Sequence, residues 1–392
     1  MKRTLMHRNR ELLDFDIDFA TGKVDILDAP GTDDALLSSL GLAGPDLAAS
    51  VSGVISERRI SARRDDAADI LGAFGARTNT ELAFMGHGLS LTDKLWYRAP
   101  GATERWEDIN FLENEWDDAF YRSVLARDHA ILASCSPDVP DLTTKGRLRK
   151  AWERTSDGIC LLKEPTFEDG SDLESELLAA DLCCALYGQD AYQPLSIVQR
   201  SGRRFASSSL MIGPDEELAQ GFRLYSMGGF DLNEASEFKK PVTPQRYADI
   251  LSHAGVADVS AQVAKLFAFK VLALLNDLHS GNYGVILNLE TGTRRGAPPF
   301  DYDHAFGLFS VEVPFDILCG NPDLTALCCA QYFSNLERSW DWSWYDPSAL
   351  EGFEYHIVEL YSSTDALPPD FGELIARLFV TQRDFVNEVA TA

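Results

Sequence analysis

The stretch Asn276-Asp277-Leu278-His279-Ser280-Gly281-Asn282 decides the fold of this chain, together with the pair Phe300-Asp301 that follows it. Apolar residues at helical spacing precede the stretch and deliver Asp277 to a polar loop: Val259, Val263, Leu266, Phe267, Leu274 and Leu275. Two hard oxygen ligands beside a further carboxylate are typical of Mg²⁺-nucleotide chemistry. The stretch therefore predicts phosphoryl transfer.

A hairpin is expected between the two parts of this pattern. Tyr283–Leu287 is predicted to be its first strand, Glu290-Thr291-Gly292 its turn and Ala297–Phe300 its return strand. The residue before the first strand then lies beside the residue after the second. We therefore expect Asn282 and Asp301 to lie together and to hold metal, with Asp277 a short loop away to accept a hydroxyl proton.

The composition is that of an ordinary globular protein of two or three domains. The chain has 392 residues, 45% of them hydrophobic and 24% charged. No apolar run approaches a membrane span, and the basic N-terminus lacks the apolar region of a secretory signal. The seven cysteines, among them Cys183-Cys184 and Cys328-Cys329, predict reduced thiols in the cytoplasm rather than disulfides or a zinc site.

The net charge of −26 argues against nucleic-acid binding through a broad basic face, and makes local basic clusters more informative. One cluster lies within residues 145–154: Lys145, Arg147, Arg149, Lys150 and Arg154. Its position beside a candidate phosphate loop favours a functional role. A second cluster, Arg58–Arg64, is expected to form a helix face balanced by Asp65 and Asp66.

Residues 1–133 are predicted to form an N-terminal accessory region. Leu12–Phe19 alternates like a strand and Val24–Leu27 pairs back with it. Helices are expected at Ala67–Phe74 and at 116–125. The Pro/Ser-rich stretch 134–140 ends the region.

Residues 134–230 are predicted to be rich in strands. Arg147–Arg154 and Gly158–Lys163 should pair about an Asp-Gly turn, and a helix capped by Ser171, with Glu174 three residues on, should run to about Leu186. Further strands are expected at Pro194–Gln199, Phe205–Ile212 and Gly221–Tyr225. Residues 231–392 are expected to be mostly helical from about Pro244, apart from the hairpin. A block of strands followed by a block of helices defines an α+β fold, with a cleft expected between the two blocks.

A kinase also needs a cation on the phosphates, an acid that positions this cation and a loop that covers the phosphates. Lys163 ends an apolar strand, and Glu176 on the following helix is its candidate partner, with Glu174 and Glu164 as competitors. The candidate cover is the loop Leu142–Arg147, with these residues facing the phosphates: Thr144, Lys145 and Gly146.

With these residues the chain resembles the HipA-like serine/threonine kinases, a branch of the protein-kinase and phosphoinositide-kinase superfamily. The family's Asp-x-His-x-x-Asn stands here as Asp277, His279 and Asn282, its metal-binding Asp as Asp301, and its phosphate-binding Lys resembles Lys163. The resemblance covers roughly residues 85–310. It implies a bilobal fold with a β-rich N-lobe, a mostly helical C-lobe and an N-terminal accessory region.

The resemblance also implies an activity. ATP and Mg²⁺ would be the cofactors and protein Ser or Thr hydroxyls the acceptors, with Asp277 as base, Asn282 and Asp301 on the metal and Lys163 on the phosphates. His279 is expected to hold the catalytic loop by hydrogen bonds rather than to carry a proton. A toxin role, a helix-turn-helix antitoxin partner, a cytoplasmic location and no direct contact with nucleic acid or membrane are further implications.

The sequence departs from the family in places and leaves alternatives open. The glycine-rich loop of ordinary protein kinases is absent, because Gly146 is the only glycine in the corresponding loop. Residues 141–149 contain no serine at which the family's loop autophosphorylation could occur, which leaves Thr143 or Thr144 as substitutes. Asp303 is either a second metal ligand or a surface acid. A small-molecule or lipid kinase, and a pseudokinase that acts as a binding module, are the alternative functions. The run Trp340–Tyr345 is expected to pack in the core or on a packing surface of the C-lobe, with a contact to a partner or peptide as the alternative.

Overall fold

The structure is a computed structural model of the chain, and it describes residues 1–29, 35–42, 46–168, 170–189, 191–227, 230, 240–302, 304–307, 336–365 and 367–392. Three antiparallel sheets with packed helices make up this part. Asp303 and the pair Cys328-Cys329 lie outside the described residues. Among the described helices, none has the length and hydropathy needed to span a bilayer.

The first sheet is built from N-terminal residues and has the strand order β3-β2-β1-β4. Its strands are β1 (Lys2–His7), β2 (Arg10–Ile17), β3 (Val24–Asp28) and β4 (Leu95–Arg98). The predicted hairpin is the β2–β3 pair, in which Ile17 lies opposite Val24. Alternation along β2 buries Leu13, Phe15 and Ile17 on one face of the sheet, and this face packs on helices of the same region.

Short helices fill the rest of the N-terminal region. They are α1 (Ala35–Ser39), α2 (Leu47–Glu57), α3 (Ala67–Phe74), α4 (Asn79–Met85), α5 (Trp106–Ile109) and α6 (Ala119–Ala126). The helix predicted at Ala67–Phe74 is confirmed with the same bounds, and the one predicted at 116–125 begins at Ala119. Two 3₁₀ turns, His129–Ser134 and Pro140–Thr143, flank the Pro/Ser-rich stretch.

The second sheet has the order β5-β6-β8-β7 and forms one wall of the cleft. Its strands are β5 (Lys150–Thr155), β6 (Gly158–Lys163), β7 (Leu195–Arg200) and β8 (Arg203–Ser209). The predicted hairpin is confirmed, although its first strand starts at Lys150 rather than Arg147. The other two strands are also confirmed, with shifted ends.

Helix α7 (Leu173–Tyr187) packs against this sheet. Its N-cap is Asp172 rather than the predicted Ser171, and the Asp172 carboxylate accepts the backbone N–H groups of Thr166, at 2.7 Å, and Phe167, at 3.3 Å. Glu174 forms an ion pair with Arg204 instead of a capping box. The carboxylate therefore fixes the entry to α7 by tying it to the preceding loop.

The third sheet, of order β11-β10-β9, carries the motif hairpin. Its strands are β9 (Glu216–Gln220), β10 (Gly284–Asn288) and β11 (Arg294–Gly296). The return strand ends before the predicted Ala297–Phe300, because Pro298 and Pro299 have no N–H to donate to the ladder. Asp301 therefore lies beyond a short extended segment and not at the strand end.

The prediction of a strand at Gly221–Tyr225 is wrong. These residues begin helix α8 (Gly221–Met227), and the strand is the preceding β9. Gly221 has a φ of +55°, a left-handed conformation that ends the strand, and its N–H donates to the carbonyl of Ser280 at 2.7 Å. The corner between β9 and α8 is thereby bonded to the loop that carries Asp277.

The largest core lies among the C-terminal helices α9 (Pro244–His253), α10 (Val259–Leu272), α11 (Phe353–Ser362) and α12 (Phe371–Thr391). Helix α10 crosses this core, which fits its apolar sequence. Trp342 is buried there, and Trp340 lies 6.2 Å from the ring of Phe267. The prediction that the Trp-rich run packs in the core is confirmed.

Candidate functional site

A cleft of about 350 Å³ lies between the second and third sheets and the N-terminal region. Strands β5, β6 and β8, with the segment after β8, give it an apolar wall: Trp152, Leu161, Ala206, Leu210, Met211 and Ile212. The polar end holds residues from three parts of the chain: Lys163, Glu176, His279, Asn282 and Asp301. A large apolar pocket with convergent polar groups is typical of a ligand site.

The loop between α10 and β10 is held in place by its own polar groups. The Asn282 side-chain amide donates to the carbonyl of Asp277 at 2.9 Å, and the Asn282 N–H donates to the carbonyl of His279 at 2.9 Å. Asn282 Nδ2 is used within the loop, so its Oδ1 is the atom suited to a cation.

His279 supports the same loop from within. The N–H of Gly281 donates to His279 Nδ1 at 3.0 Å, so in the neutral ring the hydrogen is on Nε2. His279 Nε2 lies 3.7 Å from Asp277 Oδ2. The contact with Gly281 is a loop-holding hydrogen bond of the kind that the sequence predicted for His279.

Lys163 lies at the centre of the polar end. Its Nζ is 2.8 Å from Glu176 Oε2 and 2.9 Å from Asp301 Oδ1, and both Lys163 and Glu176 are buried. One ammonium therefore joins the second sheet, helix α7 and the segment after β11. The competing acids are used elsewhere, Glu174 by Arg204 and Glu164 by two arginines, Arg127 and Arg203.

The ammonium groups of nearby lysines keep the Asp301 carboxylate ionised. Burial by itself would raise its pKa, but the Lys163 ammonium, helped by Lys150, lowers the pKa well below its usual range. The residue also has a φ of +63°, a left-handed conformation that costs a non-glycine residue about 1–3 kcal/mol and is common at functional sites. Its side chain keeps 36% of its surface exposed, so a carboxylate oxygen can be reached from the cleft.

The donors at this end suit a magnesium–nucleotide complex. Asn282 and Asp301 offer an amide and a carboxylate oxygen on the same cleft, and Mg²⁺ in nucleotide sites usually takes one or two protein oxygens and completes its shell with phosphates and water. Among the described residues, no group of three or more His, Cys, Asp or Glu side chains is arranged to hold a metal ion by itself.

The loop before β5 borders the same cleft. Thr144, Lys145 and Gly146 line it, with the Lys145 ammonium 3.8 Å from the Glu57 carboxylate. Gly146 has a φ of +96°, and a Cβ built on it would lie 2.8 Å from the ammonium of Lys150. Glycine is therefore favoured here by the backbone conformation, and a larger residue would displace the ammonium of Lys150.

Lys150 belongs to the site, although the sequence analysis placed it only in a basic cluster. It lines the cleft and lies directly opposite Lys163 in the β5–β6 ladder. The register is visible in the sequence, because the turn that pairs Thr155 with Gly158 also pairs Lys150 with Lys163 when counted outward. Cross-strand partners lie on one face of a sheet, so both ammonium groups face the cleft.

The N-terminal region forms a wall that the sequence did not predict. Its lining residues come from α2 and from the loop before β4: Val54, Glu57, Arg58, Ser90, Thr92 and Asp93. The expectation that Arg58–Arg64 forms a helix face is wrong, because these residues lie in the connection between α2 and α3, although Arg64 does pair with Asp66 as expected. Arg58 is buried against Asp93, and Arg64 is buried against Asp66.

A buried ion network joins this region to the third sheet. The Glu217 carboxylate lies 2.7 Å from His7 Nε2 and 3.1 Å from Arg223 Nη2, and accepts the Lys94 N–H at 2.9 Å. Burial opposes its charge, but His7, Arg223 and Lys94 outweigh that effect and lower the pKa of Glu217 to about 2. Arg223 also contacts Asp93, which carries the network to the cleft.

A strand-rich lobe with a buried Lys–Glu pair, facing a helical lobe across a cleft, defines a kinase-like fold. Neither the protein-family models nor the curated proteins include a match to this sequence. Among solved structures, the chain is similar to HipA of Shewanella oneidensis MR-1, in a toxin–antitoxin complex with HipB and operator DNA. That match has 10% identity and a TM-score of 0.55, and covers 100% of this chain and 99% of HipA.

A second solved structure is the Helicobacter pylori proinflammatory kinase CtkA, at 14% identity and a TM-score of 0.41, covering 62% of this chain and 90% of that one. The full-length likeness to HipA shows that this chain has a HipA-like kinase fold. The fold predicted from the sequence, an α+β bilobal kinase with an N-terminal accessory region, is confirmed.

Proposed function

We propose that this protein is an ATP- and Mg²⁺-dependent protein kinase that transfers the γ-phosphate to Ser or Thr hydroxyls. The observation that carries the proposal is the double contact of Lys163 with Glu176 and Asp301 in the cleft that Asn282 also lines. A buried lysine held by an acid, next to a carboxylate of lowered pKa, suits a site built to receive phosphates and a metal.

Each residue has a separate role in this proposal. Lys163, held in place by Glu176, binds the phosphates, and Lys150 adds a second positive charge on the same face. Asn282 and Asp301 hold Mg²⁺, which when bound neutralises charge on the transferred phosphoryl group. Asp277 accepts the proton of the acceptor hydroxyl, and His279 keeps the Asp277 loop in place through Gly281.

The loop before β5 covers the phosphates in this proposal. Thr144, Lys145 and Gly146 line the cleft on the side of Lys150 and Lys163. Backbone N–H groups and a lysine are the groups that such loops use to surround phosphate oxygens. The proposed division is an accessory region at 1–133, an N-lobe at 134–230 and a helical C-lobe at 231–392.

A toxin role in the cytoplasm, with a helix-turn-helix antitoxin as partner, is the second part of the proposal. Its support is the full-length likeness to HipA, a protein solved with HipB and operator DNA. The net charge of −26 supports an arrangement in which such a partner, rather than this chain, contacts DNA.

Transfer of label from ATP by the purified full-length protein tests the chemistry. We expect Asp277→Ala and Asp301→Ala to abolish transfer to protein acceptors, and Asp365→Ala, which removes an exposed loop carboxylate, to leave it unchanged. Label transfer that survives the loss of Asp301 would contradict the metal role. Labelling of small alcohols or lipids instead of proteins would favour the alternative kinases, and nucleotide binding without any transfer would favour the pseudokinase.

Growth of bacteria that express the protein tests the toxin role separately. We expect the wild type to slow growth and the Asp277→Ala/Asp301→Ala double variant to relieve this effect. Equal growth of the two strains at equal protein levels would contradict the toxin role while leaving the kinase chemistry untouched.

A further inference from the structure

We propose that Arg64, in the N-terminal accessory region, is a positioning residue that fixes the phosphate-facing loop 144–149 and so determines affinity for the phosphates of the nucleotide. This inference rests on the proposed function, because it assigns a structural cause to phosphate binding in that same cleft.

The guanidinium of Arg64 reaches both ends of the loop. Its Nη1 donates to Thr144 Oγ1 at 2.9 Å, where the loop begins, and its Nη2 donates to the carbonyl of Lys150 at 3.1 Å, where the loop passes into β5. Lys145 and Gly146 lie between these two anchors and line the cleft. A single rigid planar group therefore sets the distance between the two ends of the loop.

Arg64 is itself fixed. Its side chain is fully buried, with Nε 2.6 Å from Asp66 Oδ1 and Nη2 3.3 Å from Asp66 Oδ2. The ring of Phe120 lies 5.5 Å below the guanidinium. A charge-assisted pair with two hydrogen bonds holds the plane of the guanidinium in one orientation. The donors that face the loop cannot rotate away without leaving the buried Asp66 carboxylate unpaired.

Thr144, at the start of the loop, connects Arg64 to the residues beneath the loop. Thr144 Oγ1 accepts from Arg64 and donates to the carbonyl of Asp141 at 2.8 Å, so both of its hydrogen-bonding roles are used. The carboxylate of Asp141 in turn accepts the N–H of Trp152 at 2.8 Å. Arg64, Thr144, Asp141 and β5 thus form one connected hydrogen-bond network under the loop.

Two further contacts link the accessory region to the loop. Thr143 Oγ1 donates to the carbonyl of Leu89 at 3.0 Å, and Lys145 lies 3.8 Å from Glu57. The phosphate-facing loop is therefore held from outside by a separate part of the chain. A loop ordered before the ligand arrives loses less conformational entropy on binding, which increases its affinity for phosphates.

The test compares two ligands on the intact protein. MgATP contacts the loop through its phosphates, whereas adenosine has none, so a loop-positioning role predicts a selective loss. We expect Arg64→Gln to raise the Kd of MgATP about tenfold, roughly the size of one charge-assisted hydrogen bond, and to change the Kd of adenosine less than about twofold. Arg63→Gln, which changes the exposed neighbouring arginine, should leave both constants at the wild-type value.

Arg64→Lys serves as the second variant if Arg64→Gln does not fold, as judged by its thermal unfolding. It keeps a cation beside Asp66 but lacks the planar fork, and it should show the same selective loss to a smaller degree. Wild-type MgATP affinity in whichever variant folds, or an equal loss for adenosine and MgATP, would overturn the role of Arg64. Failure of the wild-type protein to bind MgATP would contradict the proposed function as well.

Discussion

Lys150 and Lys163 are direct cross-strand partners in the β5–β6 ladder, and both line the same cleft. Like charges in this relation destabilise a sheet, so the arrangement indicates an anionic environment on that face. Glu176 and Asp301 supply two carboxylates for Lys163. In the proposed function, the phosphates of a nucleotide would add further negative charge next to both lysines on this face of the β5–β6 hairpin.

Replacement of Lys150 therefore affects binding more than folding. We expect Lys150→Ala to raise the Kd of MgATP about tenfold, because one charge-assisted phosphate contact is lost. The melting temperature without nucleotide should change little, because loss of the lysine also relieves repulsion with Lys163. Isothermal titration measures the first quantity and scanning calorimetry the second.

The control for Lys150 is Lys23→Ala, which removes an equal charge from an exposed ion pair with Asp25. It should leave both measurements unchanged. Unaltered MgATP affinity in Lys150→Ala would show that the second lysine serves only the sheet.

Glu176 and Glu174 give a matched pair of variants two residues apart on α7. Glu176→Gln removes the partner of Lys163 and should lower the rate of phosphate transfer about 100-fold, because the ammonium is no longer held in position. Glu174→Gln removes only the partner of Arg204 on β8 and should retain most activity. Transfer rates at saturating MgATP distinguish the two, and equal losses would refute the assignment of Glu176.

The stability of the protein should depend on pH through Glu217. Its pKa is lowered from 4.5 to about 2 in the folded state, so the unfolded chain binds a proton there first as the pH falls. The stabilisation is fully present above about pH 4.5 and is lost as the pH falls towards 2. We expect Glu217→Gln to unfold more easily at pH 7 and to lose less further stability between pH 5 and 3 than the wild type.

Urea unfolding at several pH values measures this difference. The control is Glu216→Gln, which affects a partly exposed carboxylate paired with Arg295. It should keep the acid dependence of the wild type, and a Glu217→Gln curve parallel to the wild type would contradict the assignment.

Alanine substitutions at Gly146 and Gly22 distinguish the effect of backbone strain from the effect of steric crowding. Both have positive φ, but a Cβ would meet the Lys150 ammonium at Gly146 and nothing within 4 Å at Gly22. Alanine should cost about 1–2 kcal/mol of unfolding free energy at either position. Only Gly146→Ala should also weaken MgATP binding, since it displaces Lys150, and equal affinities in the two variants would argue against the placement of this ammonium.

The sequence by itself determined the local parts of this protein. Short-range patterns predicted the hairpins, because a two-residue turn and alternating burial are properties of neighbouring residues. The motif Asp277–Asn282 and the later Asp301 were predicted as one site for the same reason, since a single hairpin joins them. Lys163 was predicted as the phosphate-binding lysine because it ends an apolar strand.

The tertiary structure decided what depends on residues far apart in the chain. From the sequence, Glu164, Glu174 and Glu176 were all candidate partners of Lys163. The packing of α7 against the second sheet brings Glu176 to the lysine. Strand β9 exists because it pairs with β10. The role of Arg64 follows from its hydrogen bond to Thr144, which lies 80 positions later in the chain. Such contacts are set by the burial of charge and apolar surface between whole elements, a free energy that no local pattern of residues encodes.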